Sequence, residues 1–482
     1  MSEHPIELSN RIIDTGAGDA PNRVTNELSE LADGVALVES FSHSVAVDSG
    51  DGLVVFDTSG AFTGRAVTEA LRAWSTDPVD TVVYTHGHAD HVGGSGALLA
   101  DGRKRGHRAP RVIGHEAVPE RMARYERTNG WNLAINARQF GGISPSAGLG
   151  VGGNARFLPE DVAWPTTTYA EATGVRVGDR AFELHHDRGE TDDHTWAWFP
   201  EARMLFPGDL FIWVFPNAGN PQKVQRYADE WAAALRKMAA LRPELFVPAH
   251  GLPIAGADRI AMVLDEAATV LEGLVAGVLE RMNAGMELEQ IVAEVRVPDE
   301  ALEKPYLTPT YDEPEFVVRN IWRRFGGWWD GNAASLKPPS RAAVGAEVLA
   351  LAGGVEPVLD RARELADEGD FRLACELVEL ASRARPDDVD THEVRADLYQ
   401  RRRDSELSLM SKGIFAAAAR SSQHDAGLAV ERAPPDRPPD WISRAARRPF
   451  RGPIRASDTP SDSSVRLWAW TSRRSSRSTT TS

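Results

Sequence analysis

The decapeptide THGHADHVGG, residues 85–94, decides how the rest of the chain is read. It places His86, His88, Asp90 and His91 within six positions, directly after the apolar run VDTVVYT. Imidazole nitrogens and carboxylate oxygens at that density are ligands for a borderline cation such as zinc. In H-x-H the two rings can converge on one ion, while Asp90 and His91, one step further, point to a second ion beside it. A strand delivering such a cluster into a Gly-Gly turn puts it on a loop, where functional residues concentrate.

Upstream of it, residues 33 to 57 alternate apolar and polar residues around DSGDG, which predicts a hairpin of half-buried strands. A helix, TGRAVTEALRAW, follows. Downstream, VRVGDRAFELHHD, HTWAWFP and ARMLFPGD read as strands, VQRYADEWAAALRKMAAL as a helix and LFVPAHG as a short strand. Strands first, with helices between the later ones, predicts a layered α/β sandwich with metal residues on loops at one edge. Residues 130 to 170 are rich in Gly, Asn and Pro and predict a long surface loop covering the site.

From about residue 258 the text is nearly all helical. The segment ARELADEGDFRLACELVELASRARPDDVDTHEVRADLYQRR reads as a helix-turn-helix repeat, which must bury its faces on neighbours or on a partner subunit. Beyond about 422 the composition turns to Arg, Ser and Pro; residues 423–482 hold 11 Arg against 6 Asp or Glu, a basic tail that predicts disorder.

The chain of 482 residues is too long for one core and predicts two or three domains. A net charge of −16 argues against a general nucleic-acid binder. An anionic substrate stays open, because bound metal reverses the local potential. The first residues lack a signal-peptide pattern and no window approaches the roughly 18 apolar residues of a membrane span. The single cysteine, Cys375, excludes an intrachain disulfide and reads as a small core residue, which together predict a cytoplasmic protein.

Further metal ligands are readable downstream. FPGDL supplies Asp209 and PAHG supplies His250, each after a short apolar strand. Where a third imidazole is expected for the first ion, the chain reads RGETDDHTW. Either Glu190 takes that place, or His194 does, or His185 or His186 takes over.

This order of motifs resembles the metallo-β-lactamase fold, in which H-x-H-x-D-H, a G-H-T turn, a bridging acid and a last histidine hold two metals. Among its branches the chain is most similar to the linear alkyl sulfatases, which use a glutamate at the third position and a second acid nineteen residues later, the separation of Glu190 and Asp209 here. RRFGGWWDGNAASLKP, residues 323–338, resembles the G-W-x-D-G-N segment of their helical dimerisation domain, and SLMSKGIFAAAARS fits its end. The resemblance runs from about residue 24 to 421. It implies an N-terminal arm (1–23), an αββα sandwich (24–257), an all-α dimerisation domain with helical repeats (258–421) and the basic tail (422–482). It also implies two zinc ions per subunit held by His86, His88, Asp90, His91, Glu190, Asp209 and His250, with Asp90 and Asp209 as the catalytic carboxylates. The chain is then a homodimeric hydrolase of a small ester with an alkyl chain.

A glutamate at the first ion adds negative charge and weakens Lewis acidity, which suits an ester whose leaving group is already good, such as a sulfate. The sulfatase pattern also implies an Arg thirteen positions after the bridging acid, with a His and a Tyr ahead of G-W-x-D-G-N; those places hold Gln222, Glu313 and Phe325 here. Lys223 and Arg226 are the alternative anion-binding residues, and Asn136, Arg138 and Gln139 are further substrate-binding candidates. Trp131, Trp328 and Trp329 are candidates for an apolar channel. Nothing in the tail resembles the sterol-carrier-like domain of the sulfatases, so long-chain substrates are expected to bind poorly. Two other readings stand beside the sulfatase: hydrolysis of a lactone, thioester or phosphoester at the same metals, and a non-catalytic adaptor in which metals only hold the fold.

Overall fold

Valine-rich runs in the first third of the chain build one sheet. In a computed structural model, which describes residues 3–16, 18–143 and 156–427, its seven strands lie side by side in sequence order. They are β1 (Leu28–Ala32), β2 (Val35–Val38), β3 (Ser44–Asp48), β4 (Leu53–Phe56), β5 (Val79–Val83), β6 (Arg111–His115) and β7 (Thr167–Tyr169). The first four form an antiparallel meander. From β4 to β7 the pairing is parallel, with helices in the crossovers. A second sheet follows: β8 (Ala172–Val177), β9 (Arg180–His186), β10 (Thr195–Phe199), β11 (Met204–Phe206), β12 (Leu245–Phe246) and β13 (Ile254–Ala255), again in sequence order. Only β11 and β12 pair in parallel, across the helix Ala228–Ala240.

The sheets pack face to face. Val35, Val45, Val54, Phe56 and Ile113 from the first meet Val175, Phe182, Leu184, Phe199 and Phe206 from the second. Phe56 stacks on Phe206 with ring centroids 4.6 Å apart. Each such side chain contributes about 1.5–3 kcal/mol on burial. On the outer face of the first sheet, Val38, Val55, Val82 and Tyr84 pack against Val67 and Leu71 of the helix Gly64–Trp74 and Val118 and Met122 of the helix Ala117–Arg127. On the outer face of the second, Trp196, Trp198 and Phe246 pack with Trp231 and Leu235 of Ala228–Ala240 and with Leu264 and Leu271 of Ala257–Asn283. The result is the αββα sandwich expected. One detail differs: β2 and β4 are buried on both faces rather than half-buried. Helices cover what the alternating pattern assigned to solvent.

The N-terminal segment forms the helix Pro5–Thr15, whose Leu8 and Ile12 enter the core beneath Ala257–Asn283. The long loop expected over 130–170 is corrected at its start, because residues Asn129–Gln139 form a helix. Its eleven residues carry no proline and bury Leu133 and Ile135. Averaging composition over forty positions hid it. From Ala257 onward the elements are helical, and Glu356–Asp367, Phe371–Ala384 and Val389–Ser405 share a core of Leu359, Ala362, Val378 and Leu398. Cys375 is buried in that repeat. The last helix, Leu409–Asp425, runs past residue 421; the tail expectation beyond residue 427 lies outside the described residues. Among the described residues no single helix is long and apolar enough to cross a membrane.

Candidate metal centre

The loops that follow β5, β9, β11 and β12 bring the sequence-derived metal candidates together. His86, His88, Glu190 and Asp209 form one group and Asp90, His91 and His250 another, with the ligand atoms of each group within 4.8 Å of one another. Glu190, not His194, His185 or His186, therefore stands in the first group. Asp209 lies between the two: its Oδ2 is 3.8 Å from His86 Nε2, 3.3 Å from His91 Nε2 and 3.5 Å from His250 Nε2. Asp90 Oδ2 is 3.6 Å from His91 Nε2 and 3.5 Å from His250 Nε2. His88 Nδ1 is 4.0 Å from Glu190 Oε2 and 2.8 Å from His86 Nε2. Two ligands on one tetrahedral zinc ion are about 3.3 Å apart, given bonds of about 2.0–2.1 Å. The fit has a second mark: His91 Nε2, Glu190 Oε2 and Asp209 Oδ1 are buried without a hydrogen-bond partner among the described residues. Such atoms are costly unless something coordinates them.

Neighbouring side chains fix these ligands. Asp57 has a left-handed backbone (φ 55°) at the end of β4 and accepts from Thr85 N at 2.8 Å and Thr85 Oγ1 at 2.6 Å. Its Oδ2 also lies 2.8 Å from His91 Nδ1. The proton of His91 is thereby on Nδ1 and Nε2 faces the site. Asp193 Oδ2 accepts from Gly87 N at 2.9 Å and from Arg121 Nε at 2.8 Å, clamping the turn between His86 and His88. His194 Nε2 accepts from Asp209 N at 3.0 Å, so this ring positions Asp209. A Cβ at Gly208 (φ 58°) would come within 2.5 Å of His194 Cε1, so only glycine fits there. His186 bonds to the His194 carbonyl at 2.8 Å, and His185 lies flat on Trp196.

The electrostatics follow from burial and charge. Burial holds the His86 and His88 imidazolium forms far below the usual range. For Asp209 burial acts upward, but His91 and His250 outweigh it and hold the carboxyl down. Burial alone would lower His250; Asp209 and Asp90 instead raise it to about 10. Burial pushes Glu190 up to about 7 against the pull of Arg226.

Arg226 has a partner that the sequence did not reveal. It lines the cavity, but its guanidinium is bound to Glu190 and donates to Asn217 O at 2.6 Å. The Arg226 guanidinium offsets negative charge on Glu190, so the first group gains less negative charge than a lone carboxylate would bring. An ion held there would lose less Lewis acidity than the glutamate alone implies.

A cavity of about 380 Å³ opens over both ligand groups. Asn136, Gln139 and Lys223 line it as anticipated. Lys223 is half-buried, and its ammonium has no carboxylate partner among the described residues; it faces the Phe157 ring at 5.9 Å. Burial lowers its pKa to about 8. Arg138 does not line the cavity; it is exposed and bonded to Gln222 at 3.3 Å. Gln222, Glu313 and Phe325 also lie off the lining, and Glu313 accepts from Ser411 Oγ at 2.8 Å. Trp131, Trp328 and Trp329 are exposed and do not form the channel. Its apolar wall comes instead from Phe41, Phe62, Phe140, Phe157, Ile212 and Leu409. Sequence reading missed Asp57, Arg121, Asp193 and Tyr311. Tyr311 carried no motif, yet it lines the cavity and accepts from Gln139 Nε2 at 2.6 Å.

Residues 37–250 match the metallo-beta-lactamase superfamily and residues 287–425 match the alkyl sulfatase dimerisation family. A linear primary-alkylsulfatase from a Pseudomonas strain is 25% identical over 366 residues, 74% of this chain and 69% of that protein. An (R)-specific secondary-alkylsulfatase, also from Pseudomonas, is 26% identical over 377 residues, 73% of this chain but 56% of that protein. The solved structure of the stereoselective inverting sec-alkylsulfatase Pisa1 from Pseudomonas superposes with a TM-score of 0.72 at 23% identity, over 84% of this chain and 66% of that one. The chain thus spans a little over half to two thirds of these relatives. It combines a metallo-beta-lactamase superfamily domain with an alkyl sulfatase dimerisation domain, and over most of its length it is homologous to the linear primary and secondary alkylsulfatases.

Proposed function

We propose that this protein hydrolyses sulfate esters of apolar alcohols to alcohol and sulfate, as a homodimer, at two zinc ions. The first would be held by His86, His88 and Glu190, the second by Asp90, His91 and His250, with Asp209 shared. When bound, such ions supply Lewis acidity and a water acidic enough to attack near neutral pH. The protein's own groups do the rest. Lys223 holds the anionic oxygens of the ester, and Asn136 and Gln139 offer amides beside it. The phenylalanine wall takes the organic group and keeps bulk water out, while Asp209, fixed by His194, holds the two ligand groups in register.

The observation that carries this reading is the pair of converging ligand groups facing a cavity that has an ammonium without a carboxylate partner among the described residues on one side and an apolar wall on the other. The similarity to alkylsulfatases supports sulfate as the acid part. The test is inorganic sulfate release from a medium-chain alkyl sulfate by zinc-loaded protein, with a chelator-treated sample as control. Metal-dependent release is the expected result. Two zinc ions bound with no release would refute the sulfatase reading and direct the screen to lactones, thioesters and phosphoesters.

A further inference from the structure

The segment Thr310–Glu313 forms one side of the substrate cavity, and the last described helix, Leu409–Asp425, holds it there. Ser408, at the N-cap of Leu409–Asp425, donates its hydroxyl to Tyr311 O at 2.7 Å. Leu409 N donates to Thr310 O at 2.9 Å, and Ser411 Oγ binds Glu313. Behind it, the same helix lies so close to Asn129–Gln139 that a Cβ at Gly413 would stand 1.8 Å from Gln139 O. Gln139 in turn holds the Tyr311 hydroxyl. Asp312, fully buried, accepts from Gly219 N at 2.6 Å and so ties this wall to the loop that carries Asn217 and Asn220. The side chain at the head of the helix, Leu409, is half-buried and faces the cavity.

We propose that Leu409 is a specificity-determining residue: the helical region matched to dimerisation also supplies the wall that limits the length of the substrate's organic group, with Ser408 and Gly413 positioning it. The inference rests on the reading of this cavity as the substrate site. Lys223 is the cationic group of the lining and suits the acid end of an ester, whereas the side chain of Leu409 is wholly apolar and suits the organic end.

The test measures binding of two ligand series by calorimetry to the full-length, zinc-loaded chain. One is the n-alkanesulfonates, whose C–S bond is not an ester; the other is the primary n-alcohols, which have no anionic head. Leu409→Ala is expected to move the optimum in both series to longer chains, with about fourfold in affinity for each further methylene accommodated. Leu409→Trp is expected to lower affinity for the longest ligands at least tenfold and to leave the two-carbon ligands unchanged. Leu409→Met, of similar volume, should behave as the parent and shows that the helix still docks. The same length profile in all three variants, or no length dependence in the parent in either series, overturns the inference. If alcohols follow the pattern while sulfonates do not bind, the Leu409 assignment stands and the sulfate reading falls.

Discussion

Replacing Arg226 by methionine tests whether the glutamate ligand depends on its buried partner. Arg226 and Glu190 expose only 3% and 4% of their side chains. Removing one member of a pair this deeply buried leaves a carboxyl that must stay uncompensated or take up a proton, at a cost of about 3–5 kcal/mol. An exposed pair such as Arg188–Glu230, at 44% and 30%, would be worth at most about 1 kcal/mol. In metal-free protein the Arg226→Met substitution should therefore cost about 3–5 kcal/mol of unfolding free energy. In zinc-loaded protein the positive ion beside Glu190 takes over the compensation, and the loss should fall below half of that. The assay is urea denaturation followed by tryptophan fluorescence, with chelator and with zinc. Glu190→Gln and the double variant complete a thermodynamic cycle, in which metal-free protein should show a coupling of at least about 2 kcal/mol. Equal losses with and without zinc, or a coupling under about 0.5 kcal/mol, would falsify the view that Arg226 serves Glu190 rather than the substrate.

Three further outcomes follow from the same site. Lys223→Gln should raise KM for an anionic ester about tenfold or more with a smaller effect on kcat; in the parent, charge on Lys223 is present below about 8 and lost above it, so substrate affinity should fall as pH rises through that value, while Lys223→Arg should flatten the dependence. Steady-state kinetics at constant ionic strength read both, and a parent KM that is flat from pH 7 to about 9 contradicts the assignment. Asp57→Asn replaces one of the two oxygens that accept from Thr85 and His91 with an N–H donor and should weaken metal binding at the second group by about 10–100-fold, measured by competition of zinc with a chromophoric chelator. Gly208→Ala forces a methyl against His194 and Thr85 at a left-handed backbone position; a loss of about 1–3 kcal/mol in thermal or urea unfolding is expected, and a neutral result would mean that the bridging-acid turn is looser than described.

The metal ligands were legible because each stands on a loop directly after an apolar strand, and strand order alone carries such residues to one sheet edge. The layered architecture was legible for a similar reason, in the change from period-two valines to helical periodicity. What escaped were contacts made across the chain. Asp57 is a lone carboxylate at a strand end, and nothing local ties it to His91. Tyr311 lies between a proline and an acidic pair and reaches the cavity only because a helix about a hundred residues later pins it. The anion-binding side was legible only in part: thirteen residues after Asp209 stands Gln222, which lies off the lining, while the alternative, its neighbour Lys223, lines the cavity. The tryptophans of the G-W-x-D-G-N-like segment were assigned to a channel on residue type, yet they face outward and the smaller phenylalanines line it.

The division of the site along the chain has a consequence for biogenesis. Every metal donor is encoded between residues 86 and 250, whereas the wall that closes the cavity needs Tyr311 and Leu409. Segments synthesised first fold first. On the proposed reading, a nascent chain presents its candidate metal donors while the cavity is still open on one side, so metal binding would precede confinement of a substrate. Truncations that end ahead of residue 408 should bind metal and lack selectivity, which makes the helix Leu409–Asp425 a late checkpoint on specificity rather than on metallation.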